Sequence, residues 1–218
     1  MKTPDGQIDF YYDYSSPYSY LAAEAIDALA ARHGHTVNWT PIMLGIIFKT
    51  TGGAPLTELH PWRASYSVMD FKRSAEMAGL PFRYPSRFPQ ASHQAARVTI
   101  WLQRTAPEKA RPFALAVFRT LFVQDGDIQH PDHLATIGRS LDIDEAGLRA
   151  SMQDAAVKQQ LAANNDIATA RQVFGAPTFF VRDEQFWGHD RMPHLERRLA
   201  QLAGTPHDPS ATAQGVIR

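Results

Sequence analysis

The chain has 218 residues, 22 Lys and Arg against 22 Asp and Glu, and a hydrophobic content of 44%. That balance fits a globular protein with a substantial core and supplies no basic excess for nucleic acid or a membrane surface, so neither partner is expected. The absence of cysteine excludes structural disulfides, dithiol redox chemistry and thiolate metal ligation by the chain itself.

The opening MKTPDGQIDFYYDY lacks the apolar run of a secretory signal, and no later segment approaches the roughly 20 apolar residues that span a bilayer. A cytoplasmic location is the default expectation. Residues 8–12, built from Ile, Phe and Tyr, predict a strand. Residues 17–32, with Tyr20, Leu21, Ile26 and Leu29 among many alanines and Gly34 beyond, predict a helix. Residues 35–42, HTVNWTPI, alternate as a second strand, making a β-α-β unit with a parallel crossover. From 61 to 174 the pattern is helical, with helices expected over 63–78, 92–103, 111–123, 131–140, 145–153 and 157–174. Strand composition returns at 178–181 and 185–187 around Arg182-Asp183-Glu184, before a last helix over 191–202. The expected organisation is an α/β domain from residues 1–60 and 175–203, a helical insertion over 61–174, and a flexible tail over 204–218.

The first strand meets the first helix through Ser15, Ser16 and Pro17. Serine is a preferred N-cap and proline suits the first helical position, so the joint reads as an ordinary helix start. The same start gathers unpaired N–H groups, and a serine hydroxyl there can donate to an anion. Neither a Gly-x-Ser-x-Gly elbow nor a glycine-rich cradle surrounds Ser16, which disfavours acyl transfer and phosphate binding. A thiolate fits better. A hydrogen bond to a charged acceptor is worth about 1.5–3 kcal/mol and a helix terminus about 0.3–2 kcal/mol, enough to make a thiol of pKa about 8.5 largely ionised at neutral pH.

Four segments occur in order: DYSSPYSYLA, PIMLGIIFKTTGGAP, YSVMDFKRSAEMAGLPFRYPSRFP and FGAPTFFVRDEQFWGHDRM. Together, over residues 8–202, they resemble the 2-hydroxychromene-2-carboxylate isomerases and their relatives, the kappa-class glutathione transferases. The resemblance implies an α/β, thioredoxin-like (DsbA-like) domain with a large all-helical insertion between its β-α-β and β-β-α halves. Where DsbA-like relatives carry Cys-Pro-His-Cys, this chain has Ser16-Pro17-Tyr18-Ser19. The resemblance therefore implies glutathione as cofactor, its thiolate contacted by Ser16 beside Pro17, with Ser15 serving the turn. Pro177 would be the cis proline of the fold, setting the backbone of Ala176 to pair with the cysteinyl part of glutathione. His189 and Asp190 follow in WGHDR, Asp190 holding the γ-glutamyl ammonium. Arg63 stands where relatives often carry Lys and keeps a positive charge for a carboxylate. Gly53 stands where relatives often carry Asn, removing one side-chain contact. Phe48, Lys49 and Tyr18 would line the substrate mouth. Without the resemblance, Pro177 reads as a strand start, Asp190 as a helix cap and Phe48 as a loop residue packed on the insertion.

The implied activity is glutathione-dependent cis-trans isomerisation of an aromatic unsaturated 2-oxo acid, 2-hydroxychromene-2-carboxylate or a close analogue in aromatic-compound degradation, by a homodimer. A kappa-type transferase and a non-catalytic thioredoxin-fold binding module are the alternatives. No metal site is expected: the HPDH run at His130–His133 resembles a helix start and lacks further ligands. FALAVFRTLF reads as a buried or subunit-packing helix face.

Overall fold

A computed structural model of the chain describes residues 2–55 and 58–204. Strands β1 (Gln7–Tyr12), β2 (Thr36–Pro41), β3 (Thr178–Val181) and β4 (Glu184–Trp187) form one sheet in the order β2-β1-β3-β4. β1 runs parallel to β2, with Phe10 opposite Trp39, and antiparallel to β3, with Phe10 opposite Phe179. β3 and β4 are antiparallel neighbours. Alternation along β1 sends Ile8, Phe10 and Tyr12 to one face and Asp9 and Tyr11 to the other.

The first face carries the main core. The Phe10 ring stacks on Phe179 at 5.3 Å and meets Trp39 edge-on at 5.0 Å, while Tyr12 reaches Phe118 at 5.7 Å. Each fully buried ring contributes about 1.5–3 kcal/mol by leaving water. Phe118 belongs to the helical insertion, so the sheet and the insertion share one apolar core. On the second face Tyr11 packs with Ile42, Ile47, Ala168, Val173 and Phe180.

Between β1 and β2 lie two helices, α1 (Pro17–Ala23) and α2 (Ile26–Arg32), where the sequence predicts one. No helix breaker marks the joint. Glu24 leaves the helix there, and its carboxylate accepts from both Nε (2.7 Å) and Nη2 (2.6 Å) of Arg119, a partner 95 residues away. After β2 comes a helix the sequence pattern does not predict, α3 (Leu44–Thr51). The insertion follows as α4 (Pro61–Met77), α5 (His93–Thr105), α6 (Pro107–Phe122), α7 (Pro131–Arg139), α8 (Glu145–Ser151) and α9 (Ala155–Ala170). α6 starts four residues before the expected position, with Pro107 at its first position, and runs through Pro112. Its Phe113, Val117, Phe118, Leu121 and Phe122 are fully buried, so the FALAVFRTLF face is core. The described residues close with a 3-10 turn (His189–Arg191) and α10 (Met192–Gly204). The expected tail, beyond residue 204, lies outside the described residues.

His130 has a plain local role: its ring accepts from the Asp132 N–H at the start of α7, while His133 Nδ1 bonds the Asp127 carbonyl oxygen. Among the described residues no helix is long and apolar enough to cross a membrane.

Candidate functional site

Ser16 is the N-cap of α1, in extended conformation, with Pro17 at the first helical position. Its Oγ accepts from the Ser19 N–H at 3.1 Å, which satisfies one of the unpaired donors of the helix start. The same oxygen donates to the carbonyl of Ala176 at 2.9 Å. Sequence positions 160 apart are thereby joined in one hydrogen bond. The Ala176–Pro177 peptide bond is cis, and the Pro177 carbonyl accepts from the Gly188 N–H at 2.9 Å, drawing the start of the WGHDR segment to the same place. Ser16 is only 6% exposed, whereas Ala176 is half-buried.

One buried carboxylate holds this joint. Asp13 Oδ1 accepts from Ser15 N (2.9 Å), Ser15 Oγ (3.0 Å) and Ser92 Oγ (2.7 Å), while Oδ2 accepts from Leu44 N at the head of α3 (2.7 Å). Ser15 is thus committed to the turn. The Met43 N–H, next to Leu44, donates to Asn165 Oδ1 at 2.8 Å.

Beside this joint opens a cleft of about 660 Å³, in the range of small-molecule sites. Tyr18, Asp70, Ala176, Trp187, His189 and Asp190 are among its walls. Tyr18 and His189 stack face to face, with ring centroids 4.8 Å apart and planes within 8°. The Tyr18 hydroxyl donates to Asp70 Oδ2 in α4. Burial raises the pKa of that phenol well above its ordinary value, and the Asp70 carboxylate raises it further, so Tyr18 stays protonated at neutral pH. Burial lowers His189 below the usual imidazole value, with Asp190 and Asp70 opposing the shift, so the stacked ring is neutral at pH 7. Asp190 is exposed within the 3-10 turn and pairs with Arg191 at 3.0 Å.

Of the residues named from sequence, Tyr18, Ala176, His189 and Asp190 line the cleft, with Ser16 bonded to Ala176 at its edge. Arg63 is exposed and lies seven residues before Asp70 in α4. Two helical turns place it on the same face, about 10 Å along the axis. Phe48 and Lys49 are not among the lining residues: both lie in α3, Lys49 exposed and Phe48 folded over the segment that follows. A Cβ at Gly53 would come within 2.5 Å of the Phe48 ring, which accounts for glycine at that position in this chain. Sequence reasoning missed Asp70, Ser74, Met77 and Trp187, all cleft-lining. The signal lay in the quoted segments, where 70, 74 and 77 share one helix face. Trp187 covers the turn before Pro177; a Cβ on Gly175 would meet its Nε1 at 2.3 Å.

This arrangement can do three things chemically. The Ser16 hydroxyl can donate to an anion at the helix start, the Ala176 backbone can pair with an extended ligand, and Asp70 with Asp190 can accept from an ammonium. The chain is 27% identical over 197 residues to a 2-hydroxychromene-2-carboxylate isomerase of Pseudomonas putida, spanning 89% of this chain and 95% of that one. It is 27% identical over 208 residues to glutathione S-transferase kappa 1 of Caenorhabditis elegans, spanning 89% and 91%. A solved 2-hydroxychromene-2-carboxylate isomerase superposes with a TM-score of 0.82 at 26% identity, covering 90% of this chain and 95% of the other. The match to the DSBA-like thioredoxin domain runs over residues 7–200, from β1 through the cleft to α10, and the chain belongs to that family.

Proposed function

We propose that the protein is a cytoplasmic, glutathione-dependent isomerase of an aromatic unsaturated 2-oxo acid, with 2-hydroxychromene-2-carboxylate or a close analogue as substrate. The observation that carries this reading is the Ser16 hydroxyl at the head of α1, bonded to the Ala176 backbone beside a cleft, in a chain without a sulfur nucleophile of its own. The residues fit glutathione: the cleft volume suits a tripeptide, and its walls offer a hydroxyl donor, a backbone edge and two carboxylates. When bound, glutathione supplies a thiolate that adds reversibly to a conjugated double bond and so permits rotation about it.

The chain's own residues hold and orient. Ser16 donates to the sulfur and keeps it ionised, Ala176 pairs with the cysteinyl backbone, and Asp190 receives the γ-glutamyl ammonium in exchange for Arg191. Arg63, near the start of α4, would take a carboxylate. Tyr18, its hydroxyl held by Asp70 and its ring packed between His189 and Phe71, fixes the end of the cleft at which an aromatic substrate would lie. The homodimer belongs to this reading, and Trp62, Tyr66 and Met69, exposed along one face of α4, supply apolar surface for it.

The test is turnover of 2-hydroxychromene-2-carboxylate with glutathione measured in parallel. Product formation with glutathione undiminished supports the isomerase. Stoichiometric loss of glutathione into a conjugate selects the transferase, the reading favoured by similarity to the kappa-class proteins. Ser16→Ala is expected to reduce turnover by tenfold or more while changing stability by about 1 kcal/mol through the lost cap. A stability change with no reaction in either protein leaves only a binding module.

A further inference from the structure

Ser92 stands at the N-cap of α5, where a serine hydroxyl ordinarily accepts from the first turn of its own helix. Here it makes no such bond. Its Oγ donates instead to Asp13 Oδ1 at 2.7 Å, across 79 positions of sequence, with both residues only 2% exposed. A cap position has given up its local bond for a remote one. Seven residues further along the same helix, Thr99 Oγ1 lies 2.6 Å from the Tyr14 hydroxyl. α5 therefore holds residues 13 and 14, the two that precede Ser15 and Ser16. Its own start is set within the insertion: buried Gln90 accepts from the Ile128 N–H at 2.8 Å and donates to the Gly126 carbonyl at 3.1 Å, which fixes the chain two residues before Ser92.

We propose that Ser92 is a positioning residue through which the helical insertion sets the acidity of a thiol held at Ser16. The proposal rests on the glutathione reading and deepens it, because part of the sulfur activation then comes from a residue outside the cleft lining. The oxygen that Ser92 reaches also accepts from Ser15 N and Ser15 Oγ, and the Asp13 carbonyl accepts from the Ser16 N–H at 3.0 Å. The orientation of the Asp13 side chain thus fixes the turn that carries the Ser16 hydroxyl. A carboxylate three residues before Ser16 also opposes a second anion there, and each donor it accepts from offsets part of that opposition. Removing the Ser92 hydroxyl loosens the turn and takes away one such donor. Both effects disfavour a thiolate, so they add in one direction.

The experiment titrates the ultraviolet thiolate absorbance of bound glutathione on wild type, Ser92→Ala and Ser151→Ala. Ser151 is as buried as Ser92 and bonds the Leu148 carbonyl in α8, so its loss weakens the fold without touching the joint. The groups that line the cleft, Tyr18, Asp70, His189, Asp190 and Arg191, are the same in all three proteins. In Ser92→Ala the bound thiol is expected to titrate about half to one pH unit higher than in wild type, a roughly threefold to tenfold loss of thiolate at low pH that disappears at high pH. Ser151→Ala should titrate with wild type. An unshifted or more acidic thiol in Ser92→Ala overturns the proposal, as does an equal shift in Ser151→Ala, which would tie acidity to stability alone. Should Ser92→Ala not fold, Ser15→Ala removes another donor from the same Asp13 oxygen and must shift the titration in the same direction; no shift there overturns the route through Asp13. If wild type fails to bind glutathione, or binds it without acidifying the thiol, the underlying reading fails, and that result appears before any variant is compared.

Discussion

Two of the clefts on this molecule treat their polar groups in opposite ways. The cleft beside α1 leaves the Asp190 carboxylate at an exposed pair with Arg191 and leaves Ser16 with a proton that can be redirected. The second, about 450 Å³, lies against the Asp9 and Tyr11 face of β1. There Arg171 and Asp9 form an ion pair at 2.7 Å with side chains 7% and 8% exposed. Thr3 and Asn38 donate to the Asp9 carboxylate at 2.5 and 2.9 Å, and Arg171 also donates to Thr3 and Tyr11 while its guanidinium lies 3.7 Å over the Phe180 ring. A network satisfied on every side has nothing to offer a ligand without first breaking. Cleft size does not separate the two regions; the state of their donors and acceptors does.

The largest effect that can break this contrast is expected from Asp9→Ala. Removing one member leaves Arg171 buried and unpaired, so the variant should lose about 3–5 kcal/mol in denaturant unfolding while Arg171 is retained. A loss below about 1 kcal/mol would mean that the second cleft is wetter and freer than its geometry states. A smaller change of opposite sign is expected within the site region. Ser19 Oγ is fully buried and has no hydrogen-bond partner, so Ser19→Ala should raise stability by about 1 kcal/mol by removing an unsatisfied hydroxyl. Destabilisation there would reveal a bond made by that hydroxyl in solution.

The smallest effect is a pH slope. Burial lowers the folded-state value of His189, and of His93, where Arg97 adds to the same shift. The unfolded chain therefore takes up these protons first, so stability is unaffected well above pH 6.5 and falls as the pH drops through about 6.5 and below. His189→Phe, which keeps a ring against Tyr18, should remove part of that slope and leave the His93 part. An unchanged melting-temperature slope over this window would show that the His189 ring takes a proton as readily folded as unfolded.

Much of the site region was legible from local chemistry. Ser16 and Pro17 announce a helix start, the returning strands at Thr178 and Trp187 announce the second half of the sheet, and Pro177 stands where the resemblance puts a cis bond. What escaped depends on partners remote in sequence. α3 is capped by Asp13, 31 positions before Leu44, and supported by Asn165, 122 positions after Met43, so PIMLGIIFKTT carries no cap signal of its own. The break between α1 and α2 falls at Glu24, whose carboxylate pairs with Arg119 in the insertion. Asp70 and Trp187 gain meaning only when α4 and β4 are brought to the same cleft. Helix periodicity reports which face is apolar and is silent about which neighbour a polar side chain will find.

The bond between Ser16 and Ala176 also bears on how the protein is made. At about 5–20 residues per second, a ribosome that has just added Ser16 needs roughly 8–30 s to supply the 160 further residues that bring its partner. α4 to α9 are complete before β3 exists, so the helices can collapse on one another during translation, whereas β1 must wait for its antiparallel neighbour. Assembly of the site therefore waits for the returning strands, and a nascent polypeptide truncated within α9 would hold the helices before it and both N-terminal strands while lacking the backbone carbonyl on which Ser16 relies for its acceptor.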